Sequence, residues 1–204
     1  MNNEIVNSKF TVRKIAVTGI LSALSVVLNF TPLGFLVIPG LSIQITLMHI
    51  PVIIGAILLG PASGAFIGLV FGLSSFYTAF TSPMPTAFAF RNPLVSILPR
   101  VLIGIVAYYI YHLLSKVLGK KRDAISIGVS AVLATTTNTI GVLGAIYLLY
   151  AKKYITALIT LLGLPETTSP AYIFLSVVPN YIAEIVASIL LCIPIVIAIR
   201  KIRN

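Results

Sequence analysis

The sequence predicts an all-α integral membrane protein: six transmembrane helices in a single membrane domain over 1–204, with N- and C-termini cytoplasmic. Three observations carry this: the composition, the spacing of the apolar stretches and the distribution of basic residues. Of 204 residues, 58% are apolar and only 9% charged, and the mean hydropathy is +1.09. A soluble domain averages about 45–50% apolar and about 25% charged residues, so this chain lacks the polar surface that a water-soluble fold of its size requires. The net charge of +10 would suggest nucleic acid in a soluble protein. In a membrane protein the placement of the basic residues carries the information instead, and no nucleic-acid partner is inferred.

A helix needs about 20 apolar residues to cross the hydrocarbon core. Stretches of that kind lie at about 12–30, 41–59, 62–80, 93–115, 124–150 and 172–199, separated by Gly/Pro-rich or charged breaks. The first lacks a small-residue cleavage site before Asn29-Phe30-Thr31-Pro32 and is longer than a signal-peptide core, so it reads as a retained span. The second and third meet at Leu59-Gly60-Pro61-Ala62, where Gly stops one helix and Pro starts the next. Pro39, Gly40 and Pro51 make the second span irregular, which leaves a five-span chain with a re-entrant second segment as the alternative. The fifth exceeds the bilayer thickness and accommodates by tilting.

Six spans with a cytoplasmic N-terminus place ten basic residues inside (Lys9, Arg13, Lys14, Lys116, Lys120, Lys121, Arg122, Arg200, Lys201 and Arg203) and three outside (Arg91, Lys152 and Lys153). That is a positive-inside bias. The long breaks at 31–40, 81–92 and 151–171 then fall on the outer side, where loops would meet a substrate.

The chemistry available is narrow. The acids are Glu4, Asp123, Glu166 and Glu184, the histidines His49 and His112, and the lone cysteine Cys192. One cysteine forms neither an internal disulfide nor a cysteine zinc site, and no Walker-type loop is present. An intramembrane enzyme needs paired acids, a nucleophile–base couple or a metal cluster at membrane depth. No catalytic residue, metal site or cofactor is therefore assigned. A stand-alone proton-coupled carrier acting through Glu184 is the other transport class, but such carriers are usually longer and built from inverted repeats.

Polar residues inside the spans mark the candidate site. Asn92, Ser96 and Arg100 follow i, i+4, i+8 spacing on one face of the fourth span, and Asn180, Glu184 and Ser188 do so on the sixth. At about 1.5 Å per residue, Arg100 lies ~10 Å and Asn180 and Glu184 ~12–18 Å below the outer ends of their helices. Asn138 is near mid-depth, so these groups can meet below the outer loops. An ionisable group at that depth faces the bundle interior or a cavity. Arg100 and Glu184 pair to lock two helices or line a site, and such a pair could itself line one; Asn138 and Asn180 are either ligand groups or interhelical hydrogen bonds. The threonines of Thr135–Thr139 read as satisfying their own helix carbonyls. His49 reads first as a packing residue and second as a ligand, and His112 as an interfacial anchor. Phe88 and Phe90 read as part of the outer aromatic belt or as a lid over an apolar-walled pocket, and Tyr181 is among the aromatics available to that pocket. Gly19 and Ala23 form a small-xxx-small step that lets another helix approach, and Gly55-Ala56, Gly60, Gly64, Gly68 and Gly72 repeat the theme in spans two and three.

Together these features resemble the substrate-binding S components of energy-coupling factor (ECF) vitamin transporters. The matches are the Gly19-to-Ala23 step, where that family has Ala-x-x-x-Ala; His49-Ile50-Pro51-Val52-Ile53-Ile54-Gly55-Ala56, running into Leu59-Gly60-Pro61 and Gly64-Ala65; Leu98-Pro99-Arg100-Val101-Leu102-Ile103-Gly104; and Asn180-x-x-x-Glu184. The resemblance covers nearly the whole chain. It implies a multi-pass plasma-membrane protein that binds a water-soluble vitamin from outside. The pocket would lie under the outer loop after span one and among spans four to six. The Gly19/Ala23 face would dock a transmembrane T component that carries two cytoplasmic ATPases, so that ATP is used by the partner subunits and not by this chain. The wording of spans two to four is most like the pantothenate-type members. Arg100 suits a carboxylate; riboflavin and pyridoxine- or pyrimidine-type precursors are the alternatives.

Overall fold

The computed structural model describes residues 2–38, 43–119 and 122–203. Helix α1 runs over Asn2–Phe30 and ends in a 3-10 turn at Pro32–Gly34. Strands β1 (Phe35–Ile38) and β2 (Ile43–Thr46) form an antiparallel hairpin in which Phe35 pairs with Thr46. Next come α2 (Ile50–Leu59), α3 (Pro61–Thr81), a 3-10 turn at Ala87–Arg91, α4 (Pro93–Ser96), α5 (Leu98–Leu118), α6 (Asp123–Leu162), α7 (Tyr172–Leu175) and α8 (Val178–Arg203). The protein is thus essentially all-α, and five segments are long and apolar enough to cross a membrane: Val12–Phe30, Pro61–Thr81, Pro93–Leu118, Asp123–Leu162 and Val178–Ile202.

The second expected span, 41–59, is corrected. Of its residues, 41 and 42 lie outside the described residues, 43–46 are a strand, and the helix has only ten residues. Ten residues reach about 15 Å, half the hydrocarbon core. The cause is local. Leu36-Val37-Ile38 and Ile43-Gln44-Ile45-Thr46 are rich in β-branched residues on either side of a Pro-Gly pair, a hairpin signal. Every residue from Ile50 to Ile57 is buried, as a helix apolar on all sides must be. The bundle therefore wraps α2, with Val52, Ile53, Ile67, Ile103, Ile127 and Val196 in the central core.

Prolines break two other spans. Pro99 and Pro179 each lack the backbone N–H that would continue the helical ladder from the preceding turn, and each stands in the first turn of the helix that follows. The fourth span accordingly divides into α4 and α5, and the sixth into α7 and α8. The expected loop at 151–171 is helical to Leu162, with a kink at Tyr150 where the fifth span was expected to end. Ile155 and Leu158 hold the extension by packing on Val142, Leu143, Ile146 and Ile173.

The glycine stripe is internal. A Cβ at Gly64 would lie 3.1 Å from the Gly104 Cα, and one at Gly72 would lie 2.8 Å from the Ile97 Cα. Close backbone approach of α3 and α5 explains the four-residue spacing. Gly60, at φ +102°, makes the α2–α3 turn instead. At the far end of the bundle, Arg200 contacts Asp123 at 2.7 Å and donates to the Tyr111 hydroxyl at 2.5 Å, and Tyr111 donates to Asp123 at 2.7 Å. This cluster ties α5, α6 and α8 together.

Candidate ligand-binding site

Two adjoining cavities, of about 440 and 360 Å³, share Thr46, Phe90, Arg100 and Asn138 as a common wall. Each is within the size range of small-molecule sites. The first extends towards Asn29, Phe35 and Met48 on the α1–hairpin side and Phe71 and Ser75 of α3. The second extends between α6 and α8, past Val142 and Ile146 to Asn180, Tyr181 and Glu184.

Arg100 is buried in the common wall. Pro99 at the start of α5 and the close approach of Gly68 to the Arg100 carbonyl set its backbone. Nη1 donates to the Val95 carbonyl at 2.7 Å, and the guanidinium carbon lies 5.5 Å from the ring centres of both Phe71 and Phe90. Its Nε has no hydrogen-bond partner. Glu184 is bound to the hairpin instead: its Oε1 accepts from the Thr46 amide at 3.2 Å and from the Thr46 hydroxyl. Arg100 and Glu184 make no direct ion-pair contact; they line the second cavity together and attract each other across it. The ion pair formed among the described residues is Arg200–Asp123.

Asn138, on α6, has a buried Oδ1 without a partner. Asn180 and Tyr181 line the second cavity, and the Tyr181 hydroxyl lies 2.8 Å from Thr136 Oγ1. Thr136 and Thr137 donate to the carbonyls four residues earlier, as their sequence context implies. Phe90 lines both cavities and is a wall, not only a belt residue.

Three candidates sit elsewhere. Ser96 is buried and donates to the Asn92 carbonyl at 3.1 Å, lining neither cavity. The break at Ile97 interrupts the face it was expected to share with Arg100, and Asn92 instead caps α4 and donates to the Tyr150 hydroxyl at 3.1 Å. His49 is buried with Nε2 at 3.2 Å from Thr135 Oγ1, outside both cavities, as its packing reading implied. Phe88 packs edge-on against Tyr150 beneath the Lys153 ammonium, outside both cavities. Sequence reasoning missed Thr46 and Asn29. The hairpin pattern is the signal for the first, and the Asn at the mouth of the turn Asn29-Phe30-Thr31-Pro32 is the signal for the second.

The Gly19/Ala23 face is open. A Cβ at Gly19 would meet nothing within 4 Å, Ala23 is exposed, and exposed Ile15, Ile20 and Val27 flank them. Among the described residues no group of His, Cys, Asp and Glu suits a metal ion.

Residues 13–196 match the family described as ECF transporter, substrate-specific component. The chain is 34% identical to the pantothenic acid transporter PanT of Lactococcus lactis subsp. cremoris, over 93% of this chain and 95% of that protein. It is 30% identical to the pantothenate transporter PanT of Leuconostoc mesenteroides subsp. mesenteroides, over 80% of this chain and 78% of that one.

Proposed function

Since the chain belongs to the family of ECF transporter substrate-specific components, we propose that it binds pantothenate from outside the cell and delivers it for ATP-driven uptake. The observation that carries this reading is the buried Arg100, which makes no direct ion-pair contact, in the wall common to two cavities. A buried cation without a direct ion-pair contact is costly, and a ligand carboxylate supplies that contact with charge-assisted hydrogen bonds. Pantothenate also has hydroxyl and amide groups, which suit Asn138, Asn180, Tyr181 and Glu184. Both named relatives are pantothenate transporters. Riboflavin has no carboxylate for Arg100 to bind.

The chain itself needs no cofactor and carries no catalytic residue in this reading. ATP is used by two cytoplasmic ATPases attached to a transmembrane T component, which docks on the Gly19/Ala23 face of α1. Six membrane passages remain the preferred topology in the plasma membrane. Passage two is made by the hairpin and α2, of which α2 is sheltered inside the bundle; non-helical backbone is tolerated at membrane depth where it is buried in protein or lines a cavity. An even number of passages puts both basic termini in the cytoplasm, as the positive-inside bias favours.

Mass spectrometry of small molecules released from the purified protein tests the ligand. Recovery of pantothenate is expected, and recovery of a flavin or a pyridoxine-type compound instead would replace it. ATP-dependent uptake in proteoliposomes should require an added T component and its ATPases. Uptake by this chain alone, driven by a proton gradient, would refute the division of labour.

A further inference from the structure

Five buried side-chain polar atoms among the described residues lack a hydrogen-bond partner, and three of them belong to residues lining the first cavity: Asn29 Nδ2, Arg100 Nε and Asn138 Oδ1. Buried polar groups are almost always satisfied, so an orphaned cluster around one cavity marks where a ligand bonds. Two of the three atoms are donors and one is an acceptor.

The charges in the two cavities are unequal. Arg100 is the charged residue lining the first, whereas the second has both Arg100 and Glu184. A ligand anion is attracted by Arg100 from either side but repelled by Glu184 in the second. We propose that Asn29 of α1 is a substrate-binding residue that fixes ligand orientation. The carboxylate lies in the first cavity between Asn29 Nδ2 and Arg100 Nε, and the hydroxylated end points into the second cavity towards Glu184, Asn180 and Tyr181. This rests on the pantothenate reading above and adds a residue and a direction to it. Asn138 Oδ1, on the common wall, accepts from a ligand N–H or O–H near the middle of the molecule. The Thr46 bonds to Glu184 Oε1 hold that carboxylate in place to accept from a ligand hydroxyl.

The probes are pantothenate and pantothenol, in which a primary alcohol replaces the carboxylate, measured by calorimetry on the purified full chain. Wild type should prefer pantothenate. Asn29→Leu, nearly isosteric, should weaken pantothenate roughly ten- to a hundredfold, as expected for loss of a hydrogen bond to a charged group, and should weaken pantothenol much less. Asn29→Asp, which repels a carboxylate, should reverse the preference, so a poorly folding Leu variant does not end the test. Equal weakening of both ligands in the two variants would make Asn29 a structural residue and overturn the orientation, as would no change in either. Wild type that binds neither ligand would overturn the pantothenate reading, and this orientation with it.

Discussion

Gly68 of α3 lies directly against the backbone of Arg100 of α5: a Cβ at 68 would collide with the Arg100 carbonyl oxygen and come within 3.1 Å of the Val101 Cα. The obstacle is backbone, which cannot rotate away. The position of the one buried cation of the site therefore depends on the absence of a side chain on a neighbouring helix.

Gly68→Ala should destabilise the protein by about 1–3 kcal/mol, the usual cost of overpacking, and should weaken ligand binding by shifting Arg100. Gly144→Ala is the control. A Cβ there meets nothing within 4 Å, and alanine favours a helix by about 1 kcal/mol over glycine, so melting temperature should hold or rise. Thermal melts of the two variants in one detergent check the contrast.

Arg100→Ala should weaken pantothenate binding by about 1.5–3 kcal/mol, the worth of a hydrogen bond to a charged group. Because Glu184 bonds to Thr46 and not to Arg100, adding Glu184→Gln should not rescue it. Recovery of expression or affinity in the double variant would point to a structural ion pair, and unchanged affinity in a folded Arg100→Ala protein would exclude the carboxylate role.

Gly19→Trp and Ala23→Trp should each abolish ATP-dependent uptake by the full complex and preserve ligand binding by the isolated chain. Both positions are on an open face of α1 and line neither cavity, whereas Asn29 stands near the C-terminal end of the helix. Helices in lipid associate through close packing, and a large side chain blocks it. Loss of binding with uptake would assign this face to internal packing, and normal uptake in both variants would move the docking surface elsewhere.

Asp123→Ala should lower stability by about 1.5–3 kcal/mol, because it removes the acceptor of two hydrogen bonds, one from a charged donor. Tyr111→Phe keeps the Arg200–Asp123 contact and should cost less. Neither should alter ligand affinity, since these residues are outside both cavities. A melt and a binding isotherm on each variant separate the two effects.

The sequence alone determined that this is a polytopic all-α membrane protein and that its third span runs close to 62–80, and it singled out Arg100, Asn138, Asn180, Tyr181 and Glu184 as candidate site residues. Such properties are legible because transfer into lipid is a sum over residues, and a buried charge is conspicuous against an apolar background. The resemblance over nearly the whole chain led to the family whose model matches residues 13–196. The tertiary structure decided the pairings. Glu184 chose Thr46, His49 chose Thr135, and the Gly64/68/72 stripe met α5 of its own chain while Gly19 stayed open. It also turned half of the second span into a hairpin and brought Asn29 to the site. Each of these outcomes depends on the distance between groups far apart in the chain, which helical spacing within one segment does not contain.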